Sequence, residues 1–223
     1  MMRRLSLSLV ALLGGAAAAT AQTVDIKTPA VGSTYDYLWN DGQRDQVTIL
    51  STTGGRLRML VETDFEDDGF TDDTTVQYYN LNSRLWLAMF SSTFVSLYTP
   101  DADTVLPEKI VEGMAFGGRF DHIETDGVGD FTGYQSSMHS SCDYNVLAEP
   151  VELELGTFDA LEMSCIDTQI NDQGELSLLA EDTYPYTETW SIDLGMPVLQ
   201  TFGMNPETKE PDSWSTLVGY ALD

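Results

Sequence analysis

The most specific pattern of chemistry-bearing side chains is an acidic loop, DFEDDGFTD, which begins at Asp64. Asp64, Glu66, Asp68, Phe70 and Asp72 occupy the first, third, fifth, seventh and ninth positions of a calcium loop, where Phe70 would contribute its carbonyl oxygen. Calcium prefers oxygen ligands, and alternate positions converge when a loop curls around the ion. Because the bidentate glutamate of the twelfth position is missing, the pattern predicts a weak calcium site that is not an EF-hand. An acidic hairpin turn is the alternative.

The two cysteines, Cys142 and Cys165, are the next candidates. An even number of cysteines in an exported protein favours a disulfide. A simple hairpin with Leu153 opposite Leu161 opposes it, because at ~3.3 Å per residue the cysteines would lie roughly 20 Å apart. That separation exceeds the ~7 Å limit between bridged Cα atoms. We therefore predict a disulfide if residues 131–145 bend back, and two buried thiols otherwise.

No catalytic signature is present in the sequence. It contains no G-x-S-x-G elbow, H-E-x-x-H pair, P-loop or dinucleotide-binding fingerprint. Its two histidines, His122 and His139, lack the ligand spacing of a zinc site. The serines near His139 have no assignable acid for a triad. These observations favour a non-catalytic protein, and a secreted hydrolase with an unrecognised site is kept as an alternative.

The N-terminal 21 residues have the pattern of a secretory signal peptide. Arg3 and Arg4 precede an apolar run, and the small-x-small sequence ATA ends at Ala21. The apolar run is too short and too rich in glycine and alanine for a membrane span. We predict cleavage after Ala21, a periplasmic or secreted protein without a transmembrane segment, and one all-β domain over residues 22–223.

The chain is strongly acidic. It has 36 Asp and Glu residues against 10 Lys and Arg, for a formal net charge of −26. Such a charge repels nucleic acid and anionic membrane surfaces, so nucleic acid is excluded as a partner. Apart from calcium, the sequence predicts no cofactor.

Alternating apolar and polar residues predict strands along most of the mature chain. In the clearest strand, 56–62, Leu57, Met59 and Val61 share one face. The apolar phase changes from even to odd positions near residues 149–150, which predicts a β-bulge there. This spacing suits a sandwich, a barrel or a half-barrel. We predict an all-β fold with a single antiparallel curved sheet, half-barrel or sandwich of ten or more strands.

Two segments resemble a group of uncharacterised bacterial periplasmic envelope proteins rich in β-structure. The sequence VELELGTFDALEM begins at Val151, and TWSIDLGMPVLQTF begins at Thr189. The group has a G-T-F-[DE]-[AC] hairpin turn and a later W-[YF]-x-P-x-[LI]-G strand. Its aromatic opening strand is similar to residues 35–39, and its P-x-x-[LI]-x-x-G-x-x-[WF] step is similar to residues 107–116. The resemblance implies a curved antiparallel sheet in the periplasm and no established activity.

Aromatic residues are frequent, and a curved sheet lined by them could hold a lipid or a sugar; ordinary core packing is the alternative. The candidates are Tyr35, Tyr37, Trp39, Tyr78, Tyr79, Trp86, Tyr184, Tyr186 and Trp190. Our first hypothesis is a non-catalytic exported protein that binds a small apolar or amphipathic ligand, or an envelope protein, on a concave sheet. The second is a calcium-binding structural or adhesion module, and the third is the secreted hydrolase.

Overall fold

The structure, a computed structural model, describes residues 22–125, 134–171, 173–179, 182–204, 208 and 210–223. The predicted signal peptide lies outside the described residues. The all-β prediction is confirmed for the described residues, which contain sixteen strands and no α-helix. No helix in this part of the chain could span a membrane. The strands are β1 Thr23–Val24, β2 Thr34–Trp39, β3 Arg44–Ser51, β4 Arg56–Asp64, β5 Asp73–Asn80, β6 Trp86–Phe90, β7 Val95–Pro100, β8 Ile110–Val111, β9 Met114–Thr125, β10 Tyr134–Val146, β11 Val151–Leu153, β12 Gly156–Phe158, β13 Ala160–Ile170, β14 Thr183–Ser191, β15 Pro197–Phe202 and β16 Ser213–Ala221.

Twelve strands form one closed antiparallel barrel in the order β10-β13-β14-β15-β16-β2-β3-β4-β5-β6-β7-β9. The ring closes where β16 pairs with β2, with Tyr220 opposite Tyr35. The predicted open curved sheet, half-barrel or sandwich is therefore wrong. Closure pairs the backbone groups that would be exposed at the two edges of an open sheet, and it leaves no mark on the side-chain pattern.

Period-two alternation decides which side chains face the interior of the barrel. On β4, Leu57, Met59 and Val61 are buried, as the sequence predicts, while Arg56 and Arg58 are exposed outside. Each inward apolar side chain buried in this way stabilises the fold by about 2 kcal/mol. The barrel core is therefore built from the apolar phase that the sequence shows.

A segment between β5 and β6 closes one end of the barrel. Residues 81–85 cross this end. The hydroxyl of Tyr144 on β10 holds the segment there by donating a hydrogen bond to the Ser83 carbonyl at 2.9 Å. Leu85 follows into the core, with 2% of its surface exposed. A barrel of about eight strands is just filled by its own side chains, so a wider ring needs additional residues of this kind. We call this the closed end, and the opposite end the open end.

Arg84 is the central polar residue of the closed end. It is buried, and its Nη2 donates to the carbonyl oxygens of Ile26 and Lys27 at 3.3 and 3.1 Å. Its guanidinium carbon lies 5.1 Å from the centroid of a Trp190 ring, a cation–π distance. Burial lowers the pKa of Arg84 to about 10. Arg84 therefore holds the N-terminal segment around Ile26 and Lys27 against the closed end of the barrel.

The turn between β14 and β15 packs against the same N-terminal segment. The Lys27 amide donates to the Ile192 carbonyl at 2.9 Å. Gly195 in this turn has a φ of 71°, and a Cβ there would overlap the Lys27 carbonyl oxygen. Only glycine combines this backbone conformation with such a close approach.

The strands that carry the cysteines pair differently from the predicted hairpin. β10 pairs directly with β13, which places Val146 opposite Leu161 and Cys142 opposite Cys165. The predicted register of Leu153 against Leu161 is wrong, because β11 and β12 form a separate small hairpin outside the barrel. The predicted bulge at residues 149–150 is also wrong, since this point is the loop between β10 and β11.

The disulfide prediction is confirmed. Cys142 and Cys165 are bonded, with their Cα atoms 4.1 Å apart. The small hairpin takes up the residues that seemed to separate the cysteines, and β13 then returns in register with β10. A disulfide of this kind is typical of an oxidising compartment.

Candidate functional site

The open half of the barrel contains a cavity of about 320 Å³. Its volume falls within the range of about 300–1,000 Å³ that is usual for small-molecule sites. Residues of eleven barrel strands or of the turns beside them line the cavity, so it lies within the ring. The described lining residues are Tyr37, Trp39, Asp45, Val47, Met59, Val61, Gln77, Tyr79, Leu85, Trp86, Met89, Tyr98, Phe120, Ser140, Asp167, Tyr186, Glu188, Met196, Pro197, Gln200 and Phe202.

Two groups of aromatic rings form walls of this cavity. In the first wall, Phe202 on β15 stacks between Trp39 on β2 and Tyr186 on β14, with centroid distances of 5.8 and 6.3 Å. In the second wall, Tyr98 on β7 lies 5.0 Å from the ring centroid of Trp86 on β6. The order of strands around the ring places these walls on opposite sides of the cavity. A flat apolar group would therefore meet ring surfaces on two sides.

Glu188 on β14 is a buried carboxyl within the cavity wall. Its Oε1 accepts hydrogen bonds from Gln200 Nε2 at 3.0 Å and from the Tyr79 hydroxyl at 3.3 Å, while its Oε2 accepts one from Trp190 Nε1 at 3.1 Å. Burial raises the pKa of Glu188 to about 7, although these three donors favour the ionised form and lower it. Glu188 therefore changes charge close to neutral pH.

Asp167 on β13 is the second buried carboxyl. It faces Ser140 on β10 directly across the strand pair, and the Ser140 hydroxyl donates to its Oδ1. Burial raises the pKa of Asp167 to about 6, against the lowering effect of this hydrogen bond. Within the described residues, its Oδ2 has no hydrogen-bond partner. Asp167 can thus accept a hydrogen bond from a molecule in the cavity.

Asp45 on β3 is the third acid of the lining, and the protein itself satisfies both of its oxygens. Trp39 Nε1 donates to Oδ2 at 2.7 Å, and the Thr63 hydroxyl donates to Oδ1 at 2.7 Å. These bonds fix the Trp39 ring in the first aromatic wall. Asp45 therefore positions an aromatic side chain, in addition to adding negative charge.

The predicted calcium residues lie at the end of β4 and in the β4–β5 loop, at the open end. Asp64 Oδ2 accepts the Gly69 amide at 2.8 Å, and its Oδ1 accepts the amides of Glu66 and Asp68 at 3.2 Å. Partial desolvation raises the pKa of Asp64, but these backbone hydrogen bonds outweigh it, and the pKa is lowered. Asp72 Oδ2 accepts an amide in the same way.

No three potential metal-ligating side chains of the described residues are grouped closely enough to hold an ion. In this conformation the loop is an acidic turn in which Asp64 and Asp68 accept backbone amides, as Asp68 Oδ1 does from Phe70. Calcium binding by Asp64, Glu66, Asp68, Phe70 and Asp72 stays a prediction.

The aromatic residues that the sequence analysis proposed as ligand-binding candidates lie in different environments in the structure. Tyr37, Trp39, Tyr79, Trp86 and Tyr186 line the cavity. Tyr35 and Trp190 are instead completely buried in the core. Tyr78 and Tyr184 do not line the cavity, and Tyr184 is 49% exposed. The cavity thus uses only part of the aromatic set.

Sequence reasoning missed the two acids that give the cavity its chemistry. Glu188 stands in the inward phase of β14 between Tyr186 and Trp190, and Asp167 continues the inward phase of Cys165 on β13. A charged residue within an apolar phase is the signal that could have identified both, because a buried charge needs a partner or a function.

The sequence matches no protein-family model and no curated protein. Among solved structures, the chain is similar to a hypothetical lipoprotein, YmcC, from Escherichia coli K12. The two share 12% sequence identity and a TM-score of 0.47, over 88% of this chain and 92% of that chain. A similarity of this degree says nothing about what either protein binds.

Proposed function

We propose that this protein is a non-catalytic binding protein that holds a small amphipathic molecule inside its barrel. The observation that carries the proposal is the cavity of about 320 Å³, lined by aromatic and apolar side chains together with a few polar groups. Such a composition is usual for sites that bind small organic molecules. The binding surface is the interior of a closed ring and not the face of an open sheet.

The loops of the open end support entry from that side. Phe70 in the β4–β5 loop is 74% exposed, and Leu178 in the β13–β14 loop is 99% exposed. Both loops lie at the same end, because successive strands of an up-and-down barrel alternate in direction. Apolar side chains exposed around an opening are typical of interaction sites, and here they would receive the apolar part of a ligand.

Export to the periplasm or to the outside of the cell is part of the same proposal. The sequence before Gln22 has the pattern of a cleaved signal peptide. The disulfide between Cys142 and Cys165 is compatible with folding in such a compartment. The resemblance to periplasmic envelope proteins supports the same location.

The two buried carboxyls also bring the hydrolase alternative into view, since glycoside hydrolases act through a pair of acids. Protein donors already occupy both oxygens of Glu188, through Tyr79, Gln200 and Trp190. A general acid must instead present an oxygen to the substrate. We therefore favour binding over hydrolysis.

A neutral fluorescent probe, N-phenyl-1-naphthylamine, tests the proposal. The variant Gln77→Trp fills part of the cavity, and Gln46→Trp makes the same change on the outer face of β3. We expect the probe to bind the wild type and Gln46→Trp alike, and to bind Gln77→Trp about tenfold more weakly. Equal binding to all three, or no binding to the wild type, would refute the proposal.

A further inference from the structure

We propose that the cavity selects organic cations: small molecules with an apolar, preferably aromatic, body and an ammonium group that faces Asp167. This inference rests on the proposed function and specifies its ligand class. It depends on three properties of the cavity, namely the charge of its lining, the orientation of its free acceptor and the nature of its walls.

The charge of the lining is entirely negative. The described residues that line the cavity include three acids, Asp45, Asp167 and Glu188, and no lysine, arginine or histidine. Arg84, which precedes the lining residue Leu85, donates to the carbonyl oxygens of Ile26 and Lys27 at the closed end. Charges in a partly enclosed space interact more strongly than in water, so a carboxylate ligand is repelled and a cation is attracted.

Asp167 supplies the direct contact. Asp167 belongs to the cavity lining; its Oδ1 accepts the Ser140 hydroxyl, whereas Oδ2 has no hydrogen-bond partner among the described residues. An ammonium group is a strong donor for such an oxygen. Glu188, whose oxygens are occupied, adds charge from the neighbouring strand without contacting the ligand.

The walls suit the remainder of such a molecule. Eight of the described lining residues are aromatic, and five of them form the two walls on opposite sides of the barrel. Aromatic ring faces attract cations, and they pack well against apolar groups. The same walls would accept a neutral aromatic molecule, so the acids are what gives the cavity its preference for positive charge.

Three probes with one phenyl body separate these contributions: 2-phenylethylammonium, 2-phenylethanol and 3-phenylpropanoate. Their binding is followed by the fluorescence of the lining tryptophans Trp39 and Trp86, in a Trp214→Phe background that removes an exposed tryptophan. We expect the ammonium compound to bind at least about tenfold more tightly than the alcohol, and the carboxylate to bind most weakly.

Asp167→Asn tests the assigned contact, and Asp143→Asn is its control. Asp143 carries the same charge on the outer face of β10 and is exposed. We expect Asp167→Asn to weaken binding of the ammonium compound about tenfold and to leave the alcohol unchanged. Asp143→Asn should change neither.

The affinity of the ammonium compound should also rise about tenfold between about pH 5 and about pH 8, as Asp167 and Glu188 ionise. This rise should be smaller in Asp167→Asn. Of the other titratable groups around the cavity, Tyr37 on β2, Tyr79 on β5 and Tyr186 on β14 stay neutral over this range, because burial raises their pKa well above the usual value. His122 on β9, which stacks on the lining residue Tyr98 of β7, acts in the same direction as the two acids when it loses its proton. Asp45 on β3 is the remaining acid of the lining.

The outcomes distinguish the two proposals. If the alcohol or the carboxylate binds as tightly as the ammonium compound, the cavity binds ligands but does not select cations, and this inference is wrong. If Asp143→Asn weakens ammonium binding as much as Asp167→Asn does, the contact is not in the cavity. If none of the three probes binds, this inference is wrong. The proposed function is tested separately, by the binding of N-phenyl-1-naphthylamine.

Discussion

The two halves of the barrel share the same twelve strands but differ in what fills them. In the closed half, Tyr144, Leu161, Met163 and Trp190 have no exposed surface, and the segment 81–85 crosses the end. In the open half, inward side chains such as Trp39, Gln77 and Met89 remain half-buried around a cavity. Strand pairing alone therefore does not determine whether the interior of a barrel of this size is packed with side chains or contains a cavity.

The difference lies in residues outside the barrel strands. A ring of this width leaves space that its own side chains do not fill. At one end, Arg84, Leu85, Gly195 and the segment around Lys27 occupy that space. At the other end no described segment does so. The cavity is thus the part of the interior for which the chain provides no filling, and changes at the two ends should have different consequences.

The largest effect should come from Gly195→Ala at the closed end. The new Cβ would overlap the Lys27 carbonyl oxygen, in a backbone conformation that side chains disfavour. We expect a loss of about 4 kcal/mol in the free energy of unfolding, measured by urea denaturation. Gly42→Ala is the control, since Gly42 also has a positive φ but open space around it, and it should lose only about 1 kcal/mol. Equal losses would show that the contact with Lys27 does not hold the closed end.

The next effect should come from the disulfide, which lies at the border of the two halves. Cys142 and Cys165 are separated by 23 residues along the chain, so Cys142→Ala with Cys165→Ala should lower the free energy of unfolding by about 3 kcal/mol. The next inward pair towards the open end is Ser140 and Asp167. We therefore also expect weaker ammonium binding in the double variant, measured by tryptophan fluorescence. Unchanged stability would contradict the bond.

The third effect is a loss of stability as pH rises. Burial raises the pKa of Glu188 from 4.5 to about 7, so the native state keeps the proton to higher pH than the unfolded chain does. The stabilising contribution is complete below about pH 4.5 and disappears as pH rises through about 7, with about 2 kcal/mol lost between about pH 5 and about pH 8. Urea denaturation across this range should show the loss, and Glu188→Gln should reduce it. A slope that the substitution leaves unchanged would show that Glu188 is not responsible.

The smallest effect should come from the loop at the open end. Asp64 accepts three backbone amides there, so Asp64→Ala should lower the Tm slightly in calcium-free buffer. Thermal denaturation with and without calcium separates the two interpretations of this loop. A rise in Tm at millimolar calcium that Asp68→Ala abolishes would establish the calcium site, and the loop would then be more than an acidic turn.

The strand faces could be predicted from the sequence, but their partners could not. Alternation placed Leu57, Met59 and Val61 inside, as the structure has them. The same alternation is satisfied whether Leu161 pairs with Leu153 or with Val146, because both pairings keep apolar residues on one face. The alternation of apolar and polar residues therefore identifies the buried face of a strand, but it does not reveal an inserted hairpin such as β11–β12.

The site was harder to predict than the fold. Asp167 and Glu188 are charged residues at inward positions of their strands, which is unusual enough to be noticed in a sequence. They can be noticed only after it is known which alternate residues of each strand face inward. Arg84 cannot be noticed in this way: it lies in a short turn, and its burial follows from the N-terminal segment that folds over it. The acidic loop attracted attention through its spacing, yet its carboxylates accept amides of their own turn.

The cavity can form only after β2 and β16 have paired, because this pairing closes the barrel. Every interstrand hydrogen bond of this pairing joins β2 to the last strand of the chain, so β2 keeps an unpaired edge until β16 has formed. Contacts between such distant parts of a chain also form slowly. A chain truncated before Ser213 would therefore lack the closing strand and expose the edges of both β2 and β15, which are sites for aggregation.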